Sequence, residues 1–209
     1  MSGRNDNRVN QQEYAKSIDW LCRRDDDFRR VVSRHGLPPI WRRKPGFVTL
    51  IHTILEQQVS LASANAVLIK LGQMCTPLNP DTLLRLSSAQ LASAGFSRQK
   101  MRYCRALAEA ISSGELYLRK LHKLDDDAFR MQITAYPGIG PWTANVYLLM
   151  ALGRPDVWPS GDLALQAAAQ SLKNLKARPS PEKLDRIGEK WRPYRSSAAR
   201  ILWHHYRNN

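Results

Sequence analysis

The chain has few cysteines and no long apolar segment, and each absence excludes a class of protein. Its three cysteines, Cys22, Cys75 and Cys104, are odd in number and widely spaced, so they indicate neither a disulfide framework nor a zinc site. No apolar run approaches the roughly 20 residues of a transmembrane helix, and Met1–Arg8 lacks the apolar core of a signal peptide. We therefore expect a soluble, intracellular protein without membrane contact.

Acidic residues are also scarce. The chain of 209 residues has 18 Asp and Glu against 32 Lys and Arg, which gives a net charge of +14. A positive excess of this size favours a polyanionic partner such as nucleic acid. Because 43% of the residues are hydrophobic, the chain can build a real core, either as one compact domain or as two small lobes.

Apolar residues recur at helical spacing along most of the chain, and no segment alternates like a half-buried strand. The pattern predicts an all-α protein. Ser60 is expected to cap one helix, and Asn79 to cap another in which Pro80 takes the first helical position. The main predicted helices are 47–57, 88–94, 97–112, 126–135, 142–152, 162–172, 181–191 and 195–206.

The segment Tyr136–Ala144 indicates a turn that holds phosphate. Two glycines around an apolar residue allow a tight turn and bring backbone N–H groups close to a ligand. A helix beginning near Trp142 adds the positive end of its dipole, which suits an anion. The predicted phosphate contacts are Gly138, Ile139, Gly140 and Thr143 of the turn, with Arg98 and Lys100 at the start of an earlier helix.

The same turn has two other interpretations. Its carbonyls at Gly138 and Gly140 could hold Na+ or K+, which would bridge to a phosphate. Taken alone, the segment is equally compatible with an ordinary turn between helices.

A single carboxylate, Asp162, stands 22 residues after Gly140. Pro159 and Gly161 break the preceding structure and an apolar helix follows, so Asp162 lies at or beside a helix N-terminus. It is either a structural cap or a carboxylate that stabilises positive charge developing on a sugar. Asp156 is near in sequence but is expected to face solvent.

The turn and Asp162 together resemble the helix–hairpin–helix DNA glycosylase superfamily, in which a hairpin of this type is followed at a similar distance by the catalytic aspartate. Residues 54–65 and 94–100 carry the resemblance further, and 191–196 is similar to a signature of the 3-methyladenine DNA glycosylase II group. The resemblance to the superfamily covers about 47–206 and implies a two-lobed helical fold with a DNA-binding cleft between the lobes. Residues 1–46 with 155–209 would form one lobe, and 47–154 the other, which carries the hairpin.

The residue after the hairpin separates the branches of this family. Relatives that also cleave the strand carry a Schiff-base lysine where this chain has Trp142, so the resemblance implies a monofunctional hydrolase with Asp162 as its catalytic residue. The four-cysteine iron–sulfur loop of one branch is absent, since no cysteine follows Cys104, and no cofactor is expected. Packing or surface roles are expected for His52, His204 and His205.

The resemblance also implies a pocket for an extruded base. Trp142 and Trp203 match residues that line it. Another pocket aromatic falls at Val146, with Tyr147 next to it, so Tyr147 is expected in the pocket. Gln58 matches the residue that fills the gap left in the duplex.

The implied function is base excision repair, in which alkylated purines such as 3-methyladenine are flipped from double-stranded DNA and released by hydrolysis. An N-alkylated purine is cationic, is attracted to indole faces and leaves as a neutral base, so one carboxylate suffices. Two alternatives stay open: a glycosylase for deaminated or mismatched bases, and a non-catalytic DNA-binding protein of the same fold. A monomer is expected, in the cytoplasm or nucleoid of a bacterium or the nucleus of a eukaryote.

Overall fold

In the described part of this computed structural model, residues 11–209, all regular secondary structure is helical and no β-strand occurs, which confirms the all-α prediction. Met1–Arg8, in which no signal peptide was predicted, lies outside the described residues. No helix within residues 11–209 combines the length and the apolar character needed to cross a membrane. The helices are α1 (Gln11–Arg24), α2 (Asp26–His35), α3 (Phe47–Glu56), α4 (Leu61–Met74), α5 (Pro80–Leu84), α6 (Ser88–Ala94), α7 (Arg98–Ser112), α8 (Leu118–Leu121), α9 (Asp126–Ile133), α10 (Pro141–Tyr147), α11 (Leu163–Leu172), α12 (Pro181–Gly188) and α13 (Arg195–Arg207).

Side-chain caps fix where several helices begin. The Ser60 side chain accepts a hydrogen bond from the Ser63 amide at the start of α4, as predicted. Asn79 and Thr82 form a reciprocal capping box at α5, with Pro80 in the first turn, which also confirms the prediction. These caps satisfy backbone donors that the first helical turn leaves unpaired.

The predicted helix 142–152 is two structures. Helix α10 ends at Tyr147, and Leu148–Leu152 continues as a turn of π-helix. The buried Arg200 guanidinium donates from Nη2 to the Leu149 carbonyl at 3.0 Å, so that carbonyl serves a side chain from a distant helix. The residues Leu148–Leu152 are all apolar. Without a polar residue to mark a period, the sequence cannot distinguish an α-helix from a π-helix here.

Smaller differences occur at other helix ends. The predicted helix 181–191 ends as α-helix at Gly188 and continues as a 3₁₀ turn over Glu189–Trp191. The single turn of α8 was not predicted, since four residues are too few to show a period.

The chain divides into two compact units. The terminal unit is the chain up to Arg42 together with Leu148–Asn209, and the middle unit is Arg43–Tyr147. The predicted boundaries lie four residues later at the first crossing and seven residues later at the second. Arg43 forms a two-pronged ion pair with Glu56 of α3, and the π-turn is bonded to Arg200 of α13.

The core of the terminal unit is built around α13, whose residues from Ser196 to Trp203 are all buried. Arg200, in the middle of this helix, donates to the carbonyls of Ile40, Leu149 and Ser196 at 2.8 to 3.1 Å. Burial lowers the pKa of Arg200 to about 10, so this guanidinium stays charged at neutral pH. It therefore ties three separate chain segments together.

The middle unit is organised around α3, on which Leu50, Ile51, Ile54 and Leu55 are completely or almost completely buried. Helices α4, α7 and α10 pack against it. The C-terminal end of α3 thus comes close to the turn that precedes α10.

Candidate active site

The glycine turn lies between α9 and α10 in the middle unit. The Ile139 amide donates to the Tyr136 carbonyl at 3.1 Å, and the Ile139 side chain is buried. Gly138 has φ +83°, and a Cβ atom there would lie 2.3 Å from Cγ of Tyr103. Only glycine fits this position, because a side chain would meet both the unfavourable φ and the ring.

Gly140 differs from Gly138 in its surroundings. It is exposed, and a Cβ atom added there would meet no atom within 4 Å. The Gly140 carbonyl accepts from the Ala144 amide at 3.0 Å. The side of Gly140 on which a side chain would stand is open to a ligand, whereas that side of Gly138 is closed by Tyr103.

Gln57 holds the turn in place, and the sequence prediction missed it. Its Nε2 donates to the Gly138 carbonyl at 2.8 Å and to the Thr143 hydroxyl at 3.0 Å. Thr143 is only 1% exposed, and its hydroxyl faces the interior, where it accepts from Gln57. Its predicted contact with phosphate would therefore have to be made by its backbone, and it stays a prediction. Only the adjacency of Gln57 to the predicted Gln58 could have indicated this role.

The carbonyl of Gly138, which was predicted to hold Na+ or K+, accepts one hydrogen bond from Gln57. A carbonyl oxygen has two lone pairs, so this bond is compatible with a cation as second partner. Within residues 11–209, no three His, Cys, Asp or Glu side chains are grouped so that they could hold a metal ion. The monovalent cation stays a prediction.

The two predicted phosphate contacts on α7 differ in their surroundings. Arg98 is exposed at the first residue of the helix. The Lys100 ammonium is partly buried and donates to the Leu55 carbonyl at 2.6 Å, and burial lowers the pKa of Lys100. Lys100 therefore caps the C-terminal end of α3, which leaves Arg98 as the better placed of the two for a phosphate.

Gln58 stands at the exposed turn between α3 and α4. Its φ of +57° is in the left-handed region, which is uncommon for a residue other than glycine and is often found at functional sites. The next apolar side chains, Val59 and Leu61, are 46% and 55% exposed. Gln57 secures the base of this turn, so Gln58 projects from a fixed point. Its role as the gap-filling residue stays a prediction.

The residues of α10 at predicted pocket positions differ in their exposure to solvent. Trp142 is partly exposed at the second residue of the helix, whereas Val146 and Tyr147 are buried.

The structure contradicts a pocket role for Tyr147. Its ring stacks on Phe129 at 5.8 Å with an interplanar angle of 7°. Its hydroxyl accepts from the Gly46 amide and bonds to Nε2 of His122, both at 2.8 Å. Burial raises the pKa of Tyr147. With both ring and hydroxyl enclosed, Tyr147 is a core residue that secures the start of α3.

Asp162 is the cap of α11 in the terminal unit. Its Oδ1 accepts from the Leu165 amide at 2.8 Å and from Nε1 of Trp203 at 3.1 Å. The preceding turn is fixed by Gln166, whose Nε2 donates to the Ser160 carbonyl at 2.8 Å. These two contacts orient the carboxylate.

Trp203 is 8% exposed and lies on the buried side of α13. The structure thus brings two predicted site residues, Asp162 and Trp203, into direct contact. The spacing of residues could not reveal this contact, since 41 positions separate them.

Asp156 was predicted to face solvent, but its side chain is only 23% exposed. Its carboxylate forms ion pairs with Arg192 at 2.8 Å and Arg195 at 2.9 Å. These pairs secure the start of α13, so Asp156 has a structural role and is no second catalytic acid.

An aromatic residue that the prediction missed lies beside Trp203. The ring centroid of Trp41 is 6.5 Å from that of Trp203, with an interplanar angle of 73°. Trp41 stands in a connector between two prolines and a basic run, where no periodicity marks a residue as part of a site.

Known proteins match both the sequence and this structure. The family described as HhH-GPD superfamily base excision DNA repair protein matches residues 51–193. A putative DNA-3-methyladenine glycosylase of Bacillus subtilis is 27% identical over 182 residues, which are 83% of this chain but only 63% of that relative, so the chain spans less than two thirds of its length.

Two solved structures share the fold. The 3-methyladenine DNA glycosylase of Schizosaccharomyces pombe, in complex with abasic DNA, matches with a TM-score of 0.85 and 25% identity, over 90% of this chain and 95% of that one. A DNA-3-methyladenine glycosidase of Bacillus halodurans matches with a TM-score of 0.72 and 30% identity, over 91% of this chain and 87% of that one.

Proposed function

This chain belongs to the HhH-GPD superfamily of base excision DNA repair proteins, and we propose that it is a monofunctional DNA glycosylase that releases alkylated purines such as 3-methyladenine from double-stranded DNA. The names of its relatives support this substrate class. The observation that carries the proposal is the geometry at Asp162, a capping carboxylate that an indole N–H also holds in place.

The reaction begins when the damaged nucleotide leaves the duplex, which costs a few kcal/mol and less for a damaged base. The bond between C1′ and the base nitrogen then breaks, and its electron pair neutralises the cationic base. Asp162 stabilises the positive charge that develops on the sugar and orients a water molecule. The water oxygen bonds to C1′, its proton passes to the carboxylate, and an abasic site remains.

The presence of Trp142 after the glycine turn supports hydrolysis of the base without cleavage of the DNA strand. Strand cleavage through a Schiff base requires an amine that attacks C1′, and the residue that follows the glycine turn here is an indole. We propose that Trp142 instead stacks on the damaged base.

DNA binding is assigned to the exposed backbone at Gly140, to Arg98 and to the overall charge of +14. A monovalent cation at the turn carbonyls would supply a further link to a phosphate. We expect the protein to act on DNA as a monomer and without a cofactor.

The test is base release by the wild type and Asp162→Asn on a panel of duplexes. Asn caps a helix as well as Asp does, so the variant should fold and bind methylated DNA but lose release by at least about 100-fold, the scale of a lost charge-stabilising group. Asp19→Asn is the matched control, because this carboxylate is exposed on α1 and paired with Arg23.

The outcomes separate the alternatives. Unchanged release by Asp162→Asn would contradict the proposed chemistry. Release of deaminated or mismatched bases alone would assign a different lesion, and binding without any release would indicate a non-catalytic protein. Strand nicking that needs no added base would overturn the monofunctional assignment.

A further inference from the structure

We propose that Trp41 is a further base-contacting residue, whose indole selects cationic lesions over neutral ones. This inference rests on the proposed function, because it extends the site formed by Asp162 and Trp203. All of the residues that carry it belong to the terminal unit.

The connector before Trp41 is fixed by two buried donors. The Tyr14 hydroxyl donates to the Pro38 carbonyl at 2.9 Å, and Arg200 Nε donates to the Ile40 carbonyl at 2.8 Å. Tyr14 is 4% exposed and Arg200 is 3% exposed. The backbone immediately before Trp41 is therefore held in place by core residues.

Trp41 itself has a strained backbone. Its φ is +47°, a conformation that bulky residues rarely adopt and that costs on the order of a few-fold to a hundred-fold in population. Strain of this kind persists where the surrounding structure imposes it, and it is concentrated at functional sites. Here the indole of the strained residue lies beside that of Trp203.

The two indoles and Asp162 form one cluster. The ring centroids of Trp41 and Trp203 are 6.5 Å apart and the planes meet at 73°, within the range of edge-to-face pairs. Trp203 donates in turn to Asp162. A planar base that stacks on one of these indoles would meet the other near its edge, close to the carboxylate.

The ring of Trp41 already receives a cation. The Arg207 guanidinium carbon lies 5.5 Å from the ring centroid, inside the distance of about 6 Å at which cation–π attraction operates. Guanidinium is planar and delocalised, and an N-alkylated purine is a cation of the same kind. The ring can thus favour a charged base, while a neutral base would gain less.

The first experiment compares single-turnover release of 7-methylguanine, which is cationic, with release of neutral hypoxanthine. Trp41→Leu should slow release of the cationic base by about tenfold, the scale of one cation–π contact, and release of the neutral base by less. Trp41→Phe keeps a ring face and should retain most of the preference. Equal losses for both bases, or none, would overturn the proposal.

The matched control is Trp20→Leu. Trp20 is also a partly exposed indole of the terminal unit with a guanidinium over its ring, that of Arg24 at 3.9 Å. It lies on α1 and should leave the preference unchanged. An equal change of preference in Trp20→Leu would show that removal of any such indole has this effect, and would overturn the assignment to Trp41.

A binding experiment needs no catalysis and so separates this inference from the proposed function. Quenching of tryptophan fluorescence should show tighter binding of 7-methylguanosine than of guanosine by the wild type, and Trp41→Leu should reduce that preference several-fold. If the wild type releases no base but shows this preference, only the proposed function fails. If it releases alkylated bases while the preference survives in Trp41→Leu, only the role of Trp41 fails.

Discussion

At the scale of single residues, Asp162 combines two interactions on one oxygen. Its Oδ1 caps α11 through the Leu165 amide and accepts the Trp203 indole N–H. The cap ties the carboxylate to the helix backbone, and the indole ties it to α13. A reacting group held by two rigid elements loses little freedom when the substrate binds, which is an advantage for positioning.

Trp203→Phe should separate orientation from stacking. Phe keeps an aromatic face but lacks the N–H that reaches Asp162, so the carboxylate loses one of these two constraints. We expect kcat for base release to fall roughly 10- to 100-fold, as misplacement of a reacting group does, while Kd for methylated DNA stays close to that of the wild type. Rapid-quench kinetics and a binding titration measure the two quantities.

Trp158→Phe provides the comparison for Trp203→Phe. It also removes a buried indole N–H, one that donates to the Leu184 carbonyl at 3.2 Å. This change should lower the free energy of unfolding by about 1–3 kcal/mol, because the carbonyl loses a buried partner, and should spare kcat. If both variants lose the same activity, the contact with Asp162 has no special role.

Prediction from sequence succeeded where the residue type marks a local backbone feature, such as a helix cap. It failed where the contacts of a side chain come from residues far away in the sequence. Asp162 follows a Pro and a Gly, so its cap was predictable. The hydrogen bonds that enclose Tyr147 come from Gly46 and His122, and no local pattern reveals them. Burial of the Thr143 hydroxyl by Gln57 has the same origin.

At the scale of elements, the two glycines of the turn before α10 have different roles. Gly138 packs under Tyr103 with a positive φ, and Gly140 leaves its backbone open. The first glycine is needed for the fold of the turn. The second is needed only if a ligand approaches its backbone.

The variants Gly138→Ala and Gly140→Ala test this division. Gly138→Ala should lower the free energy of unfolding by at least about 1–3 kcal/mol, from backbone strain alone, because its Cβ would also collide with Tyr103. Gly140→Ala should leave stability within about 0.5 kcal/mol, as surface changes usually do, yet weaken DNA binding. Chemical denaturation and binding titrations measure the effects; equal DNA affinity of Gly140→Ala and wild type would exclude a backbone contact there.

Helix limits were predictable wherever a cap or a breaker marks them. Asn79, Pro80 and Gly95 end or begin helices as their chemistry requires. The π-turn Leu148–Leu152 was not predictable, because the guanidinium that binds its Leu149 carbonyl belongs to Arg200, 51 positions away on another helix. Trp41 escaped notice for the same reason, since its partners Trp203 and Arg207 are far away in sequence.

At the scale of the whole molecule, three titratable groups, one buried and two partly buried, change stability with pH in the same direction. Burial lowers the pKa of His52 and of His205. Nε2 of His52 is 3.5 Å from Glu56 but forms no hydrogen bond. For Asp25, burial alone would raise the pKa, but hydrogen bonds from Lys173, Lys190 and Trp191 outweigh it and keep the pKa low. Each group therefore binds a proton less readily in the folded chain than in the unfolded one.

The free energy of unfolding should consequently fall as the pH is lowered. Below the ordinary histidine value of 6.5, the unfolded chain takes up protons on His52 and His205 before the folded chain does, so acid favours unfolding. Asp25 extends the loss at lower pH, as its carboxylate is protonated first in the unfolded chain. Chemical denaturation at a series of pH values measures this slope. In His52→Gln the slope just below 6.5 should be shallower, whatever the variant does to stability at neutral pH, because Gln cannot take up the proton. A slope equal to that of the wild type would mean that the Arg43–Glu56 pair beside His52 compensates its charge, and that the loss in acid arises elsewhere in the fold.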